Sequence, residues 1–298
     1  CEPVKKPVEK IAQGLFGYSS FEAVQFFETI TFKPQSKEVE IPILRYRLYQ
    51  YIIAINHFND EMFLIENKID GLKSEIHEIE NLIQNKEVAF YPFEKIEDET
   101  SNLTDEEYRE LVELAKKHCF RGDVFQLVLS RRFEQKFRGD EFNVYRALRN
   151  INPSPYLFFF DYGDYKLMGS SPESQLIIQN HKAIIHPIAG TFKRTGDTEK
   201  DLQSVEKLKK DPKENAEHTM LVDLARNDLS KLGKNVTVSK LKEIQLFSHV
   251  IHMVSEVTAE LEADTNPFEM IATTFPQGTL SGAPKYKALE LIDAYEKS

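Results

Sequence analysis

Two glutamates three residues apart are the first candidates for chemistry in this chain. Glu214 and Glu217 lie in a stretch whose apolar spacing predicts a helix, so both carboxylates share one helix face. Such a pair can bind Mg²⁺, which takes few protein carboxylates and keeps water or substrate oxygens as its other ligands. Carboxylates are also favoured near the start of any helix. The spacing alone therefore leaves a metal site and a solvated helix face as alternatives.

A histidine and a third glutamate lie in or beside predicted strands. His252 stands among apolar residues, where an imidazole can act as a general acid or base near pH 7. It can equally be a packed sheet residue, because His249 on the opposite face shows that a strand position proves little. Glu173 follows a turn after a strand, and a partly buried carboxyl there can have a raised pKa and donate a proton. A plain turn carboxylate is the alternative.

The segment 279–285 joins a loop of small residues to a predicted helix that has Pro284 near its start. Unpaired backbone N–H groups and the positive end of the helix dipole attract carboxylates or phosphates to such a turn. The segment lacks the glycine, lysine and serine spacing of a Walker A loop, so nucleotide binding is not favoured. A simple helix cap is the alternative.

The elements that must position these residues follow from periodicity and turn signals. A helical section is predicted over about 200–231, with Pro212 near the first position of its second half. An earlier helix starts at a capping box formed by Thr104 and Glu107 and is stopped by Gly122. Further helices are predicted at 72–83, 268–273 and 284–296, a loop at 87–103, and strands at 43–55, 62–65, 124–131, 156–160, 166–168, 175–178, 183–188, 236–238 and 247–257. These patterns alone indicate one mixed α/β unit.

The overall composition is that of a folded globular protein, with 298 residues, 41% hydrophobic residues and a net charge of −10. The acidic excess argues against nucleic acid as the main partner, and no apolar run approaches the ~18 residues of a membrane span. Cys1 and Cys119 cannot make a disulfide framework, which fits a reducing cytosol and predicts a cytoplasmic location. Because there is no initial Met and the chain ends in a helical pattern, we expect both ends to be cut.

Six short motifs occur in a fixed order along the second part of the chain. They are GDVFQLVLSRR (122–132), NPSPY (152–156), GSSPE (169–173), PIAGT (187–191), EHTMLVDLARND (217–228) and TLSGAPK (279–285). Together they resemble the chorismate-utilising enzymes, and most closely the large subunits of anthranilate synthases. The resemblance is dense over 120–298 and loose over 1–119, and it implies one α/β domain over 1–298. The implied fold is a sandwich of two large, mostly antiparallel β-sheets with helices outside, incomplete at both termini.

The resemblance assigns a role to each candidate residue. It makes Glu217 a direct Mg²⁺ ligand and Glu214 a water-mediated one, so that the metal holds a carboxylate of chorismate. It makes Glu173 the general acid for the departing C4 hydroxyl, and His252 the residue used in eliminating pyruvate. The implied substrate-binding residues are Ala189, Gly190, Thr191, Thr279, Ser281 and Gly282. One half of a tryptophan feedback site is implied at Asn152, Pro153, Ser154, Pro155 and Tyr156.

Two positions indicate which reaction of the family is expected. Isochorismate and salicylate synthases carry a lysine at the position of Gln126, where it activates water, and a neutral amide cannot take that proton. Aminodeoxychorismate synthases carry a nucleophilic lysine at the position of Ala189. The two residues therefore favour conversion of chorismate and ammonia to anthranilate and pyruvate, the first step of tryptophan biosynthesis. An aminodeoxychorismate synthase and a non-catalytic chorismate-family fragment are the alternatives.

The resemblance also implies a partner and contains two departures from the family pattern. Family members take ammonia from a glutaminase subunit, and Cys119 does not lie in the Gly-x-Cys-x-Gly turn of a glutaminase nucleophile. The Leu-Leu-Glu-Ser motif of the tryptophan site is absent. So is the final segment with a Tyr, an Arg, a Gly-Ala-Gly turn and a further Mg²⁺ glutamate. We therefore expect these 298 residues to bind chorismate poorly and to be inactive, unlike the gene product that contains them.

Overall fold

The helices of the protein are seen in a computed structural model that describes residues 13–34, 41–85, 91–247 and 249–296. They are α1 (Ile76–Gln84), α2 (Asp105–Arg121), α3 (Phe142–Ile151), α4 (Thr198–Lys210), α5 (Pro212–Ser230), α6 (Pro267–Thr274) and α7 (Lys285–Tyr295). Short 3-10 helices cover Phe21–Phe26 and Gly278–Leu280. No helix within these ranges is long and apolar enough to cross a membrane.

The strands form one five-stranded antiparallel sheet and six two-stranded ones within the described ranges. They are β1 (Phe16–Ser19), β2 (Leu44–Arg47), β3 (Tyr51–Asn56), β4 (Glu61–Glu66), β5 (Glu94–Lys95), β6 (Thr100–Ser101), β7 (Gln126–Leu127), β8 (Phe133–Glu134), β9 (Phe137–Arg138), β10 (Tyr156–Asp161), β11 (Lys166–Ser171), β12 (Ile177–Gln179), β13 (Lys182–Ile185), β14 (Ile188–Lys193), β15 (Lys234–Leu246), β16 (Val250–Glu260) and β17 (Gly282–Ala283). The α/β class and the antiparallel pairing are confirmed. Instead of two large sheets, the described residues contain one, because each strand outside it pairs with a single neighbour.

Contacts within the chain group the residues into two compact units. The first takes its described residues from Cys1–Ala23 and Glu40–Tyr91, and the second from Val24–Val39 and Pro92–Ser298. The single domain expected over 1–298 stays a prediction. The division does not fall near residue 119, where the dense resemblance begins. All candidate site residues belong to the second unit.

The first unit contains two antiparallel strand pairs and α1. Strand β1 pairs with β2, and β3 pairs with β4. The strand predicted over 43–55 is divided into β2 and β3, because its two halves pair with different partners. The strand predicted at 62–65 is confirmed within β4.

The five-stranded sheet of the second unit is built around β16, which is paired on both edges. Strand β15 follows one edge, while β13 and then β14 follow the other. Between them lies Pro187, which has no N–H for a ladder bond but accepts one from the Ser255 N–H at 3.1 Å. This interruption places β14 beside the first half of β16, where two candidate site residues face each other.

Helix α5 packs on this sheet and carries the two candidate metal ligands. Asp211 caps it, because its carboxylate accepts the backbone N–H of Glu214 at 3.1 Å. Pro212 disfavours a helical conformation at Asp211, so α4 ends where α5 begins, as the sequence predicts. The helix contacts the sheet core through the buried side chains of Val222, Ala225 and Leu229.

Helix α2 leads into the first site motif and starts as predicted. The Thr104 hydroxyl accepts the Glu107 N–H at 3.2 Å, and the Glu107 carboxylate accepts the Thr104 N–H at 2.8 Å. Gly122 ends the helix in the left-handed conformation, with φ of 79°. Of the strand predicted over 124–131, only β7 forms. Strands β5 and β6 lie in the predicted loop at 87–103, and its residues 87–90 are outside the described residues.

Only one of the two cysteines lies within the described residues. Cys119 is a free, exposed thiol on α2. Cys1 lies outside the described residues.

Candidate active site

Glu173 lies at a turn that holds its carboxyl away from water. The turn follows β11, and the Ser171 hydroxyl accepts the Glu173 N–H at 3.2 Å and donates to the Glu173 carbonyl at 3.0 Å. Burial raises the pKa of Glu173 to about 7, and the Thr279 hydroxyl offsets part of that rise. The carboxyl can therefore keep its proton near neutral pH, which a general acid requires.

The Thr279 turn is tied directly to the loop that carries Glu173. Gln277 donates from Nε2 to the carbonyl oxygens of Ser174 at 3.0 Å and Gln175 at 2.8 Å. A cavity of about 20 Å³ is lined by Glu173, Gln277 and Thr279 together with neighbouring apolar residues. The structure thus brings the predicted acid and a predicted substrate-binding residue together. The role of Gln277 was not foreseen, because nothing in its local sequence indicates its partners.

Gln126 is positioned by the short pair of β7 and β17. In the register of this pair Ala283 is opposite Gln126 and Gly282 is opposite Leu127. A Cβ atom on Gly282 would lie 2.2 Å from the Gln126 carbonyl oxygen, so only glycine allows the strands to approach this closely. The side chain of Gln126 donates from Nε2 to Glu217 Oε1 at 3.4 Å. Its Oε1 atom is buried and has no hydrogen-bond partner.

Glu214 and Glu217 reach different neighbours from the same helix. Glu217 contacts Gln126, whereas Glu214 Oε2 lies 3.2 Å from the position that a Cβ atom on Gly190 would take. No group of three or more His, Cys, Asp or Glu side chains suited to a metal occurs in the described part of the chain. Two carboxylates and the unpartnered amide oxygen of Gln126 are hard oxygen donors, which is the set that Mg²⁺ prefers. The residues present therefore fit an incomplete magnesium site.

His252 and Thr191 face each other across β14 and β16. Their Cα atoms are in register, and Thr191 Oγ1 lies 3.1 Å from His252 Nδ1. The Phe247 ring packs edge-on against the imidazole at 5.4 Å between ring centroids. Burial lowers the pKa of His252, and a hydrogen bond with the Gly190 backbone partly opposes that shift. The imidazole is therefore neutral at neutral pH and can exchange a proton in either direction.

Gly190 forms the irregularity that allows this pairing. The register shifts between Ala189 and Thr191, and Gly190 has a φ of 72°. A Cβ atom there would lie 2.7 Å from Leu208 Cδ1. The predicted substrate-binding residues 189–191 thus lie between His252 and the Glu214 side chain.

Replacement of Gly190 with Ala is expected to destabilise the protein by about 1–3 kcal/mol through backbone strain and overlap with Leu208. Gly196→Ala is the matched control, because its φ of 80° is similar while open space surrounds its Cβ position. The midpoints of urea unfolding measure both effects. Equal losses in the two variants would show that contact with Leu208 does not constrain this site.

Helix α5 also carries a buried histidine beside the candidate metal ligands. His218 is completely buried and its Nε2 atom lies 2.6 Å from the Ser255 hydroxyl. Burial lowers the pKa of His218 to about 4, so this ring is neutral. Its contact with β16 fixes the rotation of the helix and with it the direction of Glu217.

A buried ion pair was also missed by the sequence analysis. Lys285 Nζ lies 2.9 Å from Asp228 Oδ2, and both side chains are buried. Each residue stands at the end of a recognised motif, but 57 positions separate them, and no local signal pairs them. Ser281 is fully buried in the same segment and donates to the Gln277 carbonyl at 3.3 Å.

A second cavity, of about 930 Å³, opens beside α5 and β17. Its walls include Gln126, Glu217 and Lys285, and its size is typical of small-molecule sites. It shares Leu224 and Asp228 with the smaller cavity at Glu173. The candidate acid Glu173 and the candidate metal ligand Glu217 therefore line neighbouring cavities that share these two residues.

The predicted regulatory segment lies outside both cavities. Asn152 follows α3, and its carbonyl accepts from the Ser170 hydroxyl at 2.6 Å. Tyr156 begins β10 and is in register with Ser171 of β11. The segment 152–156 is thus connected through one hairpin to the turn that carries Glu173.

Comparison with known proteins shows which family this chain belongs to. The chorismate binding enzyme family matches residues 2–298. The chain is 37% identical to anthranilate synthase component 1 of Aquifex aeolicus, over 95% of this chain and 60% of that protein. It is also 37% identical to the Saccharomyces cerevisiae protein of that name, over 96% of this chain and 60% of the relative.

Solved structures extend the comparison to the fold. Anthranilate synthase component I from Streptococcus pneumoniae aligns with a TM-score of 0.84 and 30% identity, over 96% of this chain and 66% of that one. A menaquinone-specific isochorismate synthase from Escherichia coli, at 20% identity and a TM-score of 0.64, shares the fold. This chain spans about 60% of the length of the curated relatives. The sequence motifs, the family match over residues 2–298 and the identity with these relatives show that the chain belongs to the chorismate binding enzyme family.

Proposed function

We propose that this chain carries the chorismate-handling site of an anthranilate synthase, which converts chorismate and ammonia to anthranilate and pyruvate. The observation that carries the proposal is the contact of the Gln126 amide with the Glu217 carboxylate on the wall of the 930 Å³ cavity. It places a neutral amide, which cannot deprotonate water, beside the candidate metal ligand. Ammonia is a better nucleophile than water and needs no such base.

Ala189 supports amination over the alternative of an aminodeoxychorismate synthase. It is buried on β14 opposite Met253 and offers no group for attack on the substrate. The relatives above are named anthranilate synthase component 1, so neither the aminodeoxychorismate synthase nor the non-catalytic alternative is better supported. Amination at C2 with loss of the C4 hydroxyl, followed by elimination of pyruvate, is therefore the proposed reaction.

Glu173 supplies the proton for the departing hydroxyl. Its carboxyl is buried and its pKa is about 7, so near neutral pH it still carries the proton that it donates. The adjacent Thr279 and buried Gly278 line the same cavity, where they exclude water from the acid. The Thr279 hydroxyl, which lowers the pKa of Glu173, would stabilise the carboxylate after the transfer.

Glu217 and Glu214 would hold Mg²⁺, directly and through water respectively. When bound, the metal would supply positive charge that orients a substrate carboxylate and lowers the energy of negative charge on it. Gln126, whose Oε1 atom has no hydrogen-bond partner, lines the same cavity as Glu217. Ser281, Gly282 and Thr279 form the turn that we propose receives the substrate carboxylates.

His252 serves the second step, in which pyruvate leaves the aminated intermediate. The His252→Asn variant is expected to release less pyruvate and to accumulate the aminated intermediate, because Asn cannot exchange a proton at neutral pH. Mass spectrometry of quenched reactions measures the ratio of intermediate to anthranilate. His249→Asn is the control, and an unchanged ratio in His252→Asn would remove this role.

A glutaminase subunit is the proposed source of ammonia, and tryptophan the proposed feedback inhibitor at 152–156. The register of Tyr156 with Ser171 supports a route from that segment to the Glu173 turn. A cytoplasmic location remains a prediction from cysteine usage.

A product assay tests the proposed function on the complete reading frame that contains these residues. Chorismate, Mg²⁺ and excess ammonium are supplied, and products are identified by mass spectrometry. Equimolar anthranilate and pyruvate are expected. Formation of isochorismate would contradict the interpretation of Gln126, and formation of aminodeoxychorismate that of Ala189. Unconsumed chorismate would favour the non-catalytic alternative.

A further inference from the structure

The ion pair between Asp228 and Lys285 is almost completely buried. The side chains are 5% and 9% exposed, and the ammonium also donates to the Thr274 carbonyl at 3.3 Å. The other carboxylate oxygen of Asp228 lies 3.4 Å from Lys231 Nζ. Lys285 thus contacts both a residue of α5 and the last residue of α6.

Stability alone does not account for this arrangement. Lys285 is the first residue of α7, where the positive end of the helix dipole disfavours a cation. Burial lowers the pKa of Lys285, and Asp228 opposes that shift. Buried ion pairs are often no more stabilising than apolar residues of the same volume. The contribution of the pair to folding stability therefore does not explain why a lysine and an aspartate lie at these positions.

The pair closes a loop over the candidate site. Thr274 and Lys285 bound a segment that contains Gln277, Thr279, Ser281 and Gly282, and one ammonium group holds both ends of it. On α5, Asp228 follows Glu217 by eleven residues, which is three helical turns, so the two lie on one helix face about 16 Å apart. Asp228 lines both cavities.

We propose that Asp228 and Lys285 are positioning residues that lock the 274–285 loop onto α5. The lock fixes the distance between the Thr279 and Glu173 end of the site and the Glu217 and Gln126 end. A single substrate that must reach both ends needs that distance held constant. This inference rests on the proposed function and assigns residues that set its geometry without touching the reacting atoms.

Variants without buried unpaired charge provide the test. The double variant Lys285→Met with Asp228→Leu replaces the pair by apolar side chains of similar volume. Asp228→Glu keeps both charges and lengthens the contact by one methylene, so it serves if the double variant does not fold. Lys287→Met is the control, because Lys287 lies on α7 in an exposed pair with Glu290.

Two readouts separate positioning from folding. The variants are made in the complete reading frame that contains these residues. In those that unfold cooperatively like the wild type, kcat for anthranilate formation is expected to fall about 100-fold in the double variant and less in Asp228→Glu, because displacements near 1 Å have effects of this size. The pKa of Glu173 is expected to fall from about 7 towards its usual range, because a loosened Thr279 turn admits water. Carboxyl ¹³C NMR of glutamate-labelled protein measures it, with Glu173→Gln identifying the resonance.

A folded double variant with wild-type kcat or with an unchanged Glu173 pKa would overturn the proposal. If the double variant does not fold, the same two results in Asp228→Glu would overturn it. If the wild type makes no anthranilate, the proposed function fails while the titration of Glu173 alone decides this inference.

Discussion

The Glu173→Gln variant is expected to lose about 10²–10⁴-fold in kcat for anthranilate formation, because an amide cannot protonate the departing hydroxyl. The wild-type profile of kcat/KM should fall above pH 7, where a carboxyl with a pKa of about 7 loses its proton. The variant should lack that decline. Initial rates between pH 5.5 and 9 provide the measurement, and Asp164→Asn at the far end of the β10–β11 hairpin is the control.

The same substitution should stabilise the protein at high pH. The folded-state pKa of Glu173 is raised, so the folded protein holds a proton that the unfolded chain releases between about pH 4.5 and 7. Folding stability from this group is therefore full below pH 4.5 and lost as pH rises to 7. Above pH 7 the penalty is about 3 kcal/mol, and Gln removes it. Loss of both activity and stability at pH 8 would mean that Glu173 is a structural residue.

The Glu217→Gln variant is expected to lose about 10³-fold in kcat, because the metal would lose its direct carboxylate ligand and several kcal/mol of charge stabilisation. Its side chain contacts Gln126, and the substitution would leave two neutral amides in contact there instead of an amide and a carboxylate. The Mg²⁺ concentration for half-maximal rate should rise in parallel. Rates measured across a Mg²⁺ titration test both effects.

The Glu214→Gln variant should have a smaller effect than Glu217→Gln. It should lower the metal affinity about 10–100-fold, as is typical of groups that act through a ligand. Glu206→Gln on α4 is the control, because that carboxylate pairs with Lys209 at the surface. Direct Mn²⁺ binding followed by electron paramagnetic resonance reports on the metal without turnover. Equal Mn²⁺ affinity in wild type and Glu217→Gln would exclude Glu217 as a ligand.

Local elements of the fold could be predicted because their causes are local. The capping box at Thr104 and the stop at Gly122 each depend on atoms within four residues. The junction of α4 and α5 follows from the ring of Pro212, which constrains Asp211. The strand predicted over 43–55 failed at its middle, because pairing partners and not propensity decide where a strand ends.

The residue types of the candidate site were likewise present in the sequence, since the family resemblance carried by the motifs selected Glu173, Glu217 and His252. Their environments could not be predicted. Burial of the Glu173 carboxyl depends on the Thr279 turn, which lies about a hundred residues away and is held there by Gln277. The pKa of a carboxyl depends on how much water reaches it, and that is a property of packing.

The sequence by itself determined the family, the caps of α2, the junction of α4 and α5 and the candidate chemistry of individual side chains, but it did not predict α3 or the start of α1. Only the tertiary structure placed Gln126 against Glu217, Thr191 against His252, and Lys285 against Asp228. These pairs are separated by 91, 61 and 57 residues. Such contacts depend on sheet register, helix rotation and burial summed over the whole unit, and no local pattern encodes those quantities.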